Sequence, residues 1–129
     1  LKFQMTDYAG TQAVARELRT LGLKPHDSLL VLNRGYNIYL ETDARPPTRY
    51  IHSVHMMTTF HTPSPDALGE NLAARPGFIV VANPSRRVLD ESDAKYQQAF
   101  AVLNTQYAQV GQVSGKLDSF LIYRRLKGS

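Results

Sequence analysis

Hydrophobic residues recur along this chain in two patterns, at helical spacing in some segments and as short uninterrupted runs in others. The first helical segment predicts an amphipathic helix with one apolar stripe, formed by Tyr8, Thr11, Val14, Ala15, Leu18 and Leu21. Either Thr6 or Asp7 can cap its start, because a side-chain oxygen there accepts an unpaired N–H of the first turn. Gly22 predicts the end of the helix, with Leu23 packing back on the last turn.

Two uninterrupted apolar runs, residues 28–32 and 78–82, predict strands that are buried on both faces. Residues 49–54 predict a further short strand. Residues 110–113 and 120–123 predict an antiparallel hairpin, because the turn around Gly115 is too short for a parallel connection.

Three further segments predict helices. Residues 36–41 form a short one, and a second begins at Ser64, with Leu68 and Leu72 on its apolar side. A third begins at the capping residue Ser92. The apolar stripe of the third helix comprises Tyr96, Ala99, Phe100, Leu103 and Tyr107.

Helices and strands therefore alternate along the chain before the hairpin closes it. This order predicts an α/β fold, a three-layer sandwich with a Rossmann-like, mostly parallel sheet and a C-terminal antiparallel hairpin. The length of 129 residues fits a single domain over residues 1–129. Because the chain begins with Leu1 rather than Met, we expect it to be a piece of a larger protein.

Composition excludes several classes of protein. A hydrophobic share of 43% and a charged share of 20% indicate a folded globular chain. No apolar run approaches the ~20 residues that cross a bilayer, and the absence of cysteine excludes disulfides and thiolate metal sites. The segment Asn33-Arg34-Gly35-Tyr36-Asn37 holds too few glycines for a dinucleotide or P-loop fingerprint, so we predict no cofactor.

Titratable residues cluster at three places, and none of them predicts a metal or catalytic site. His52, His55 and His61 are close in sequence, yet strand alternation places the first two on opposite faces. The stretch also lacks an acidic residue to complete a zinc site. The acidic residues within 41–43 and 90–93 are typical of solvated caps. We therefore predict no metal ligand and no catalytic residue.

The ends of the buried strands carry the most informative polar residues. Ligands of open α/β sheets bind at the carboxyl ends of parallel strands, which are followed here by Asn33, Arg34, Asn83, Arg86 and Arg87. We expect Arg45 to join them. Arginine suits phosphate or carboxylate, so an anion site is one interpretation, and a solvated network with nearby acids is the other. The net charge of +4 is too small to predict a nucleic-acid partner.

Six stretches of the chain, in order, resemble a family of membrane enzymes. They are residues 13–19, 28–32, 36–40, 45–50, 78–82 and 120–125, of which Arg45-Pro46-Pro47-Thr48-Arg49-Tyr50 is the most distinctive. They keep this order from residue 13 to residue 125, so the resemblance spans most of the chain. They resemble the C-terminal soluble, extracytoplasmic domain of bacterial polytopic glycosyltransferases in the protein mannosyltransferase superfamily.

The resemblance implies a parent enzyme of the type C fold that takes a sugar from a polyprenyl-phosphate donor. Its catalytic acids lie in the membrane portion, so this domain is expected to be non-catalytic and to assist donor or acceptor engagement or enzyme stability. The implied location is the extracytoplasmic, periplasmic face of a bacterial membrane. The implied partners are the transmembrane portion of the same polypeptide, a glycan or protein acceptor and the polyprenyl-phosphate headgroup.

Four residues in the resembling stretches are candidates for a functional face, namely Tyr39, Arg45, Arg49 and Tyr50. Aromatic rings with polar tips suit sugars, and arginine suits a phosphate. The pair at residues 86–87 departs from the family, in which acidic or polar residues are expected after this strand.

Two other classes of function remain open. One is a stand-alone or fused α/β module that binds a small anion at the carboxyl ends of the strands, with no link to a transferase. The other is a small hydrolase that uses a histidine and an acid. The hydrolase ranks last because no nucleophile motif supports it.

Overall fold

The structure is a computed structural model that describes residues 7–32, 35–47, 71–83 and 101–127. Its elements are α1 (Tyr8–Thr20), β1 (Leu29–Leu32), α2 (Asn37–Thr42), β2 (Phe78–Ala82), β3 (Tyr107–Ser114) and β4 (Ser119–Arg125). Residues 71–73 and 101–106 are also helical. The predicted strand at 49–54 and the predicted helix starts at Ser64 and Ser92 lie outside the described residues.

One open sheet holds the four strands in the order β1-β2-β4-β3. β1 and β2 run parallel, whereas β4 is antiparallel to both β2 and β3. The α/β class and the C-terminal hairpin are confirmed. The expected mostly parallel sheet is wrong for these strands, because the hairpin returns β4 to the place beside β2 that a further parallel strand would take. The three-layer, Rossmann-like stacking stays a prediction.

Both faces of the sheet are buried against apolar side chains. The first cluster packs the sheet against α1 and α2, and it comprises Val14, Leu18, Leu23, Leu29, Val31, Ile38, Tyr39, Ala44, Phe78, Val80, Ala82, Phe120 and Ile122. The second cluster comprises Leu30, Leu32, Leu72, Ile79, Val81, Leu103 and Tyr107. Successive residues of β1 and β2 fall alternately into the two clusters, as strand geometry requires. The predicted burial of both runs on two faces is confirmed.

Both ends of α1 follow the predicted capping pattern. Asp7 caps its start. At its end, Gly22 has a φ of 109° and donates its N–H to the carbonyl of Arg19, and the N–H of Leu23 donates to the carbonyl of Leu18. These two bonds are a Schellman motif. Leu23 and Leu18 share the first cluster, which confirms the predicted packing back on the helix.

The last predicted helix ends before its expected final residue. The helical residues run to 106, and Tyr107 begins β3 opposite Arg125. The placement of Tyr107 on the helix is therefore wrong. Its ring still joins Leu103 in the second cluster, and its hydroxyl donates to the carbonyl of Pro76 at 2.5 Å. Tyr107 can lie in a strand instead of the helix because strand pairing satisfies its backbone N–H and carbonyl groups, and its ring still reaches the core.

Two glycines with positive φ differ in the space around them. Alanine substitutions at these positions therefore separate the cost of a left-handed backbone from the cost of steric overlap. Gly22 has no atom within 4 Å of the place a Cβ would occupy, whereas a Cβ at Gly35 would lie 3.2 Å from side-chain carbons of Ile38 and Phe120. We expect Gly22→Ala to lower the free energy of unfolding by about 1–2 kcal/mol, the cost of left-handed backbone. Gly35→Ala should cost more, because overpacking adds about 1–3 kcal/mol. Urea denaturation measures both, and equal losses would contradict this expectation.

Candidate functional site

The Asp7 carboxylate joins the start of α1 to the turn between β3 and β4. Its Oδ1 accepts the N–H of Gly10 at 2.9 Å. Its Oδ2 accepts the N–H of Leu117 at 2.7 Å and that of Asp118 at 3.0 Å. Asp7 is only 4% exposed, so these bonds form away from bulk water. We call this set of three hydrogen bonds the Asp7 clamp.

Two glycines make the clamp possible. A Cβ at Gly115 would overlap the Asp7 carboxylate and would stand 2.9 Å from the Cα of Gly10. A Cβ at Gly10 would lie 2.9 Å from Cγ of Asp7. The turn therefore approaches the helix more closely than residues with side chains would permit.

The clamp favours the ionised form of Asp7. The N–H of Leu117 has the largest effect and lowers the pKa of the carboxyl group. Burial raises the pKa, and the N–H groups of Asp118 and Gly10 lower it further. Together these effects place the pKa of Asp7 below the ordinary value for aspartate. At neutral pH the clamp is thus built on a charged carboxylate.

Asn83 fastens β2 to β4 at the edge where β1 and β2 end, which we call the carboxyl edge. Its N–H donates to the carbonyl of Ser119 at 2.7 Å, and its side-chain oxygen accepts the N–H of Ser119 at 3.0 Å. Its side-chain amide donates to Oδ1 of Asp118 at 2.9 Å. The residue has a φ of 49°, so the strand stops here as predicted. Both ends of the Asn83 side chain are occupied.

A third polar contact at the carboxyl edge joins the starts of the two helices. The side-chain amide of Asn37 donates to the hydroxyl of Thr11 at 2.6 Å. That hydroxyl donates in turn to the carbonyl of Tyr8 at 3.2 Å. Thr11 is fully buried, so its hydroxyl needs these partners.

The described residues of the carboxyl edge form a structural network. Its two carboxylates, Asp7 and Asp118, are 4% and 5% exposed and accept hydrogen bonds within it. A general acid or base must reach a substrate proton, whereas these two carboxylates are buried and accept structural hydrogen bonds. No cluster of three metal-ligating side chains occurs among the described residues. His52, His55 and His61 lie outside them.

Three of the nine predicted site residues lie in the described part of the chain. Asn83 is at the carboxyl edge as expected, and the other two are Tyr39 and Arg45. The remaining six, which lie outside the described residues, are Asn33, Arg34, Arg49, Tyr50, Arg86 and Arg87. Their part in ligand binding stays a prediction.

Arg45 lies beside the first residues of β1, at the end of the strands opposite the carboxyl edge. It forms a parallel bridge with Ser28, and its carbonyl accepts the N–H of Leu29 at 2.9 Å. The length of β1, roughly 13 Å for four residues, separates it from the carboxyl edge. The backbone of Arg45 is at the start of β1 because α2 carries the chain back there. Its predicted grouping with Arg34, Arg86 and Arg87, which lie outside the described residues, stays a prediction.

Tyr39 lies in the core. It is 8% exposed, and its hydroxyl accepts the N–H of Val31 at 2.9 Å. Burial raises the pKa of this hydroxyl. The position gives the ring a structural role beside β1, and its predicted contact with a ligand is untested.

The partners of the clamp are the residues that sequence reasoning misses. The sequence predicts Asp7 as a cap for α1, but not that its second oxygen binds Leu117, 110 positions later. The only local indication is Gly115-Lys116-Leu117-Asp118, in which the acid proves to be buried. A glycine and an acid in a hairpin turn are common without such a contact, so the segment alone does not reveal it.

Comparisons of the chain with protein-family models, curated proteins and solved structures found no match. Within the four described ranges, no helix combines the length and apolar character needed to cross a bilayer.

Removal of the Asp7 carboxylate should destabilise the domain. Asp7→Ala takes the acceptor from three N–H groups, and loss of the helix cap alone costs about 1 kcal/mol. A buried N–H without a partner costs about 1–3 kcal/mol more. We therefore expect urea denaturation to show a loss of roughly 3 kcal/mol in the free energy of unfolding.

Asp27→Ala is the matched control for this variant. The Asp27 side chain also accepts an N–H from three residues away, that of Lys24 at 2.9 Å, but it is exposed. A loss below about 1 kcal/mol is expected for such a local bond. Equal losses in the two variants would show that the long-range half of the clamp contributes nothing.

The clamp should also make the domain sensitive to acid. Because folding lowers the pKa of Asp7, its contribution to stability is complete above about pH 4, the ordinary aspartate pKa. The contribution is lost as the pH falls through the lower pKa of the folded state. Asp7→Asn removes this titration, so its free energy of unfolding should fall less than that of the wild type between about pH 6 and about pH 3. Parallel pH profiles would contradict the lowered pKa.

Proposed function

We propose that this chain is the non-catalytic extracytoplasmic domain of a membrane glycosyltransferase that uses a polyprenyl-phosphate-linked sugar donor. The domain is the C-terminal part of a larger protein on the periplasmic face of a bacterial membrane. It contacts the transmembrane portion of the same polypeptide. There it assists the engagement of donor or acceptor, or the stability of the enzyme.

The observation that carries the proposal is that the described polar side chains of the carboxyl edge are occupied by structural hydrogen bonds. In open α/β enzymes this edge holds the ligand and the reacting groups. In this chain Asn83 uses both ends of its amide, and the carboxylates of Asp7 and Asp118 are buried in hydrogen bonds. Such an edge suits a domain that supports a catalytic centre located elsewhere in the protein.

We also propose the finer architecture, a three-layer, Rossmann-like sandwich. The support is the burial of both faces of the sheet. α1 and α2 pack on the first cluster, and Leu72 and Leu103 bring helical residues to the second. The second helical layer would then include residues 71–73 and 101–106.

The test uses the full-length protein that contains this chain, in membranes, with a polyprenyl-phosphate-linked sugar as donor. Asp118→Asn keeps the shape of the buried side chain, so transfer per folded enzyme should stay within about threefold of the wild type. A general acid or base at this position would instead lose about 10²–10⁴-fold. A full-length protein that transfers no such sugar would overturn the proposal.

Asp7→Ala is the complementary variant in the same assay. Because it destabilises the domain without touching the chemistry, transfer activity and the amount of folded enzyme should decrease together. The small-anion module is distinguished by titrating the isolated chain with inorganic phosphate. Saturable shifts of the Gly35 and Asn83 amide signals would favour that alternative.

A further inference from the structure

The end of the molecule that holds the clamp presents two large apolar side chains to solvent. Tyr8 is 62% exposed and Leu117 is 56% exposed. Tyr8 follows Asp7 directly, and Leu117 donates its N–H to the Asp7 carboxylate. One buried carboxylate therefore holds both residues at the same place. We call Tyr8, Lys116 and Leu117 the clamp tip.

At the clamp tip the acidic side chains are buried and the basic side chain is exposed. Asp7 and Asp118 turn their carboxylates inward, where they are 4% and 5% exposed. Lys116, between them in the turn, is exposed. Among the described residues of the tip, the surface is therefore apolar and cationic, although two acids lie within two positions of its members.

The clamp tip is also the place where the preceding chain joins the domain. Residues 1–6 lead directly into Asp7, and their sequence contains Lys2, Phe3 and Met5.

We propose that the clamp tip contacts the surface of a lipid bilayer with anionic headgroups. Tyrosine favours the headgroup level of a bilayer, leucine the boundary with the acyl chains, and lysine the lipid phosphates. The proposal rests on the proposed function in one respect, that the parent enzyme supplies the membrane. The clamp makes the contact effective, because a fixed turn loses little conformational freedom when it binds.

Two other exposed leucines serve as internal controls. Leu40 on α2 is 82% exposed, more than Leu117, and lies outside the tip. Leu126 is 43% exposed and follows Arg124 and Arg125 at the opposite edge of the sheet. If exposure of a leucine alone caused binding, Leu40 would dominate; if basic neighbours alone did, Leu126 would.

The chain contains no tryptophan, so a single introduced indole reports its own position. Leu117→Trp, Leu40→Trp and Leu126→Trp are titrated separately with vesicles of phosphatidylglycerol and phosphatidylcholine that carry brominated acyl chains. We expect a blue shift and bromine quenching for Leu117→Trp, and neither for the other two variants. Absence of quenching at position 117, or equal quenching at position 40 or 126, would overturn the proposal.

Vesicle flotation of alanine variants gives a second measurement that does not depend on the indole. Leu117→Ala should reduce the partition coefficient on the order of tenfold, and Leu40→Ala should leave it unchanged. Lys116→Gln should weaken binding to phosphatidylglycerol vesicles and leave the weak binding to pure phosphatidylcholine unaltered. All of these positions are exposed, so thermal unfolding should confirm intact folds.

A photo-crosslinker at position 117 of the full-length protein separates a lipid contact from a protein contact. Adducts with lipid support the proposal, whereas adducts with the transmembrane polypeptide would overturn it. The two proposals fail separately. Loss of the lipid contact with intact sugar transfer rejects only the clamp tip, and vesicle binding by a chain whose parent transfers no sugar rejects only the glycosyltransferase.

Discussion

A single buried carboxylate holds the first helix against a hairpin that lies more than a hundred positions later in the chain. The hydrogen bonds of Asp7 to Leu117 and Asp118 fix where the start of α1 meets the sheet. In this position, Val14 and Leu18 of α1 share the first cluster with Phe120 and Ile122 of β4. Asp7 is thus both a local helix cap and the acceptor in a long-range tertiary contact.

The need to pair buried polar groups explains the composition of the carboxyl edge. Close approach of the turn requires glycine at positions 10 and 115, and it leaves the N–H groups of 117 and 118 in need of an acceptor. Asp7 provides that acceptor, and Asn83 does the same for β4. Among the described residues of this edge, the side chains of Asp7, Asn83 and Asp118 hold strands and helices together.

Local patterns predict the elements of this chain better than their arrangement. The positions of α1, β1 and β2 can be predicted from capping residues and apolar runs. A strand that is buried on both faces has an apolar side chain at every position, which makes it recognisable in the sequence. The mixed sheet does not follow, because no residue of 119–125 indicates that β4 pairs with β2. The helical stripe also misplaces Tyr107, whose ring reaches the same cluster from a strand as it would from a helix. Long-range contacts such as the one between Asp7 and Leu117 carry no periodic signature, so the structure is needed to reveal them.

The hydroxyl of Tyr39 has a consequence for how molecules of this protein meet one another. The N–H groups of Leu29 and Val31 lie on the side of β1 away from β2, and β1 is an edge strand among the four described strands. Exposed edge strands commonly recruit strands from other chains. Arg45 accepts the first through its carbonyl, and Tyr39 accepts the second through its phenol. An incoming strand would have to displace both groups and expose a buried ring. In the described part of the chain, a core side chain therefore occupies a backbone N–H of β1 that an added strand would need.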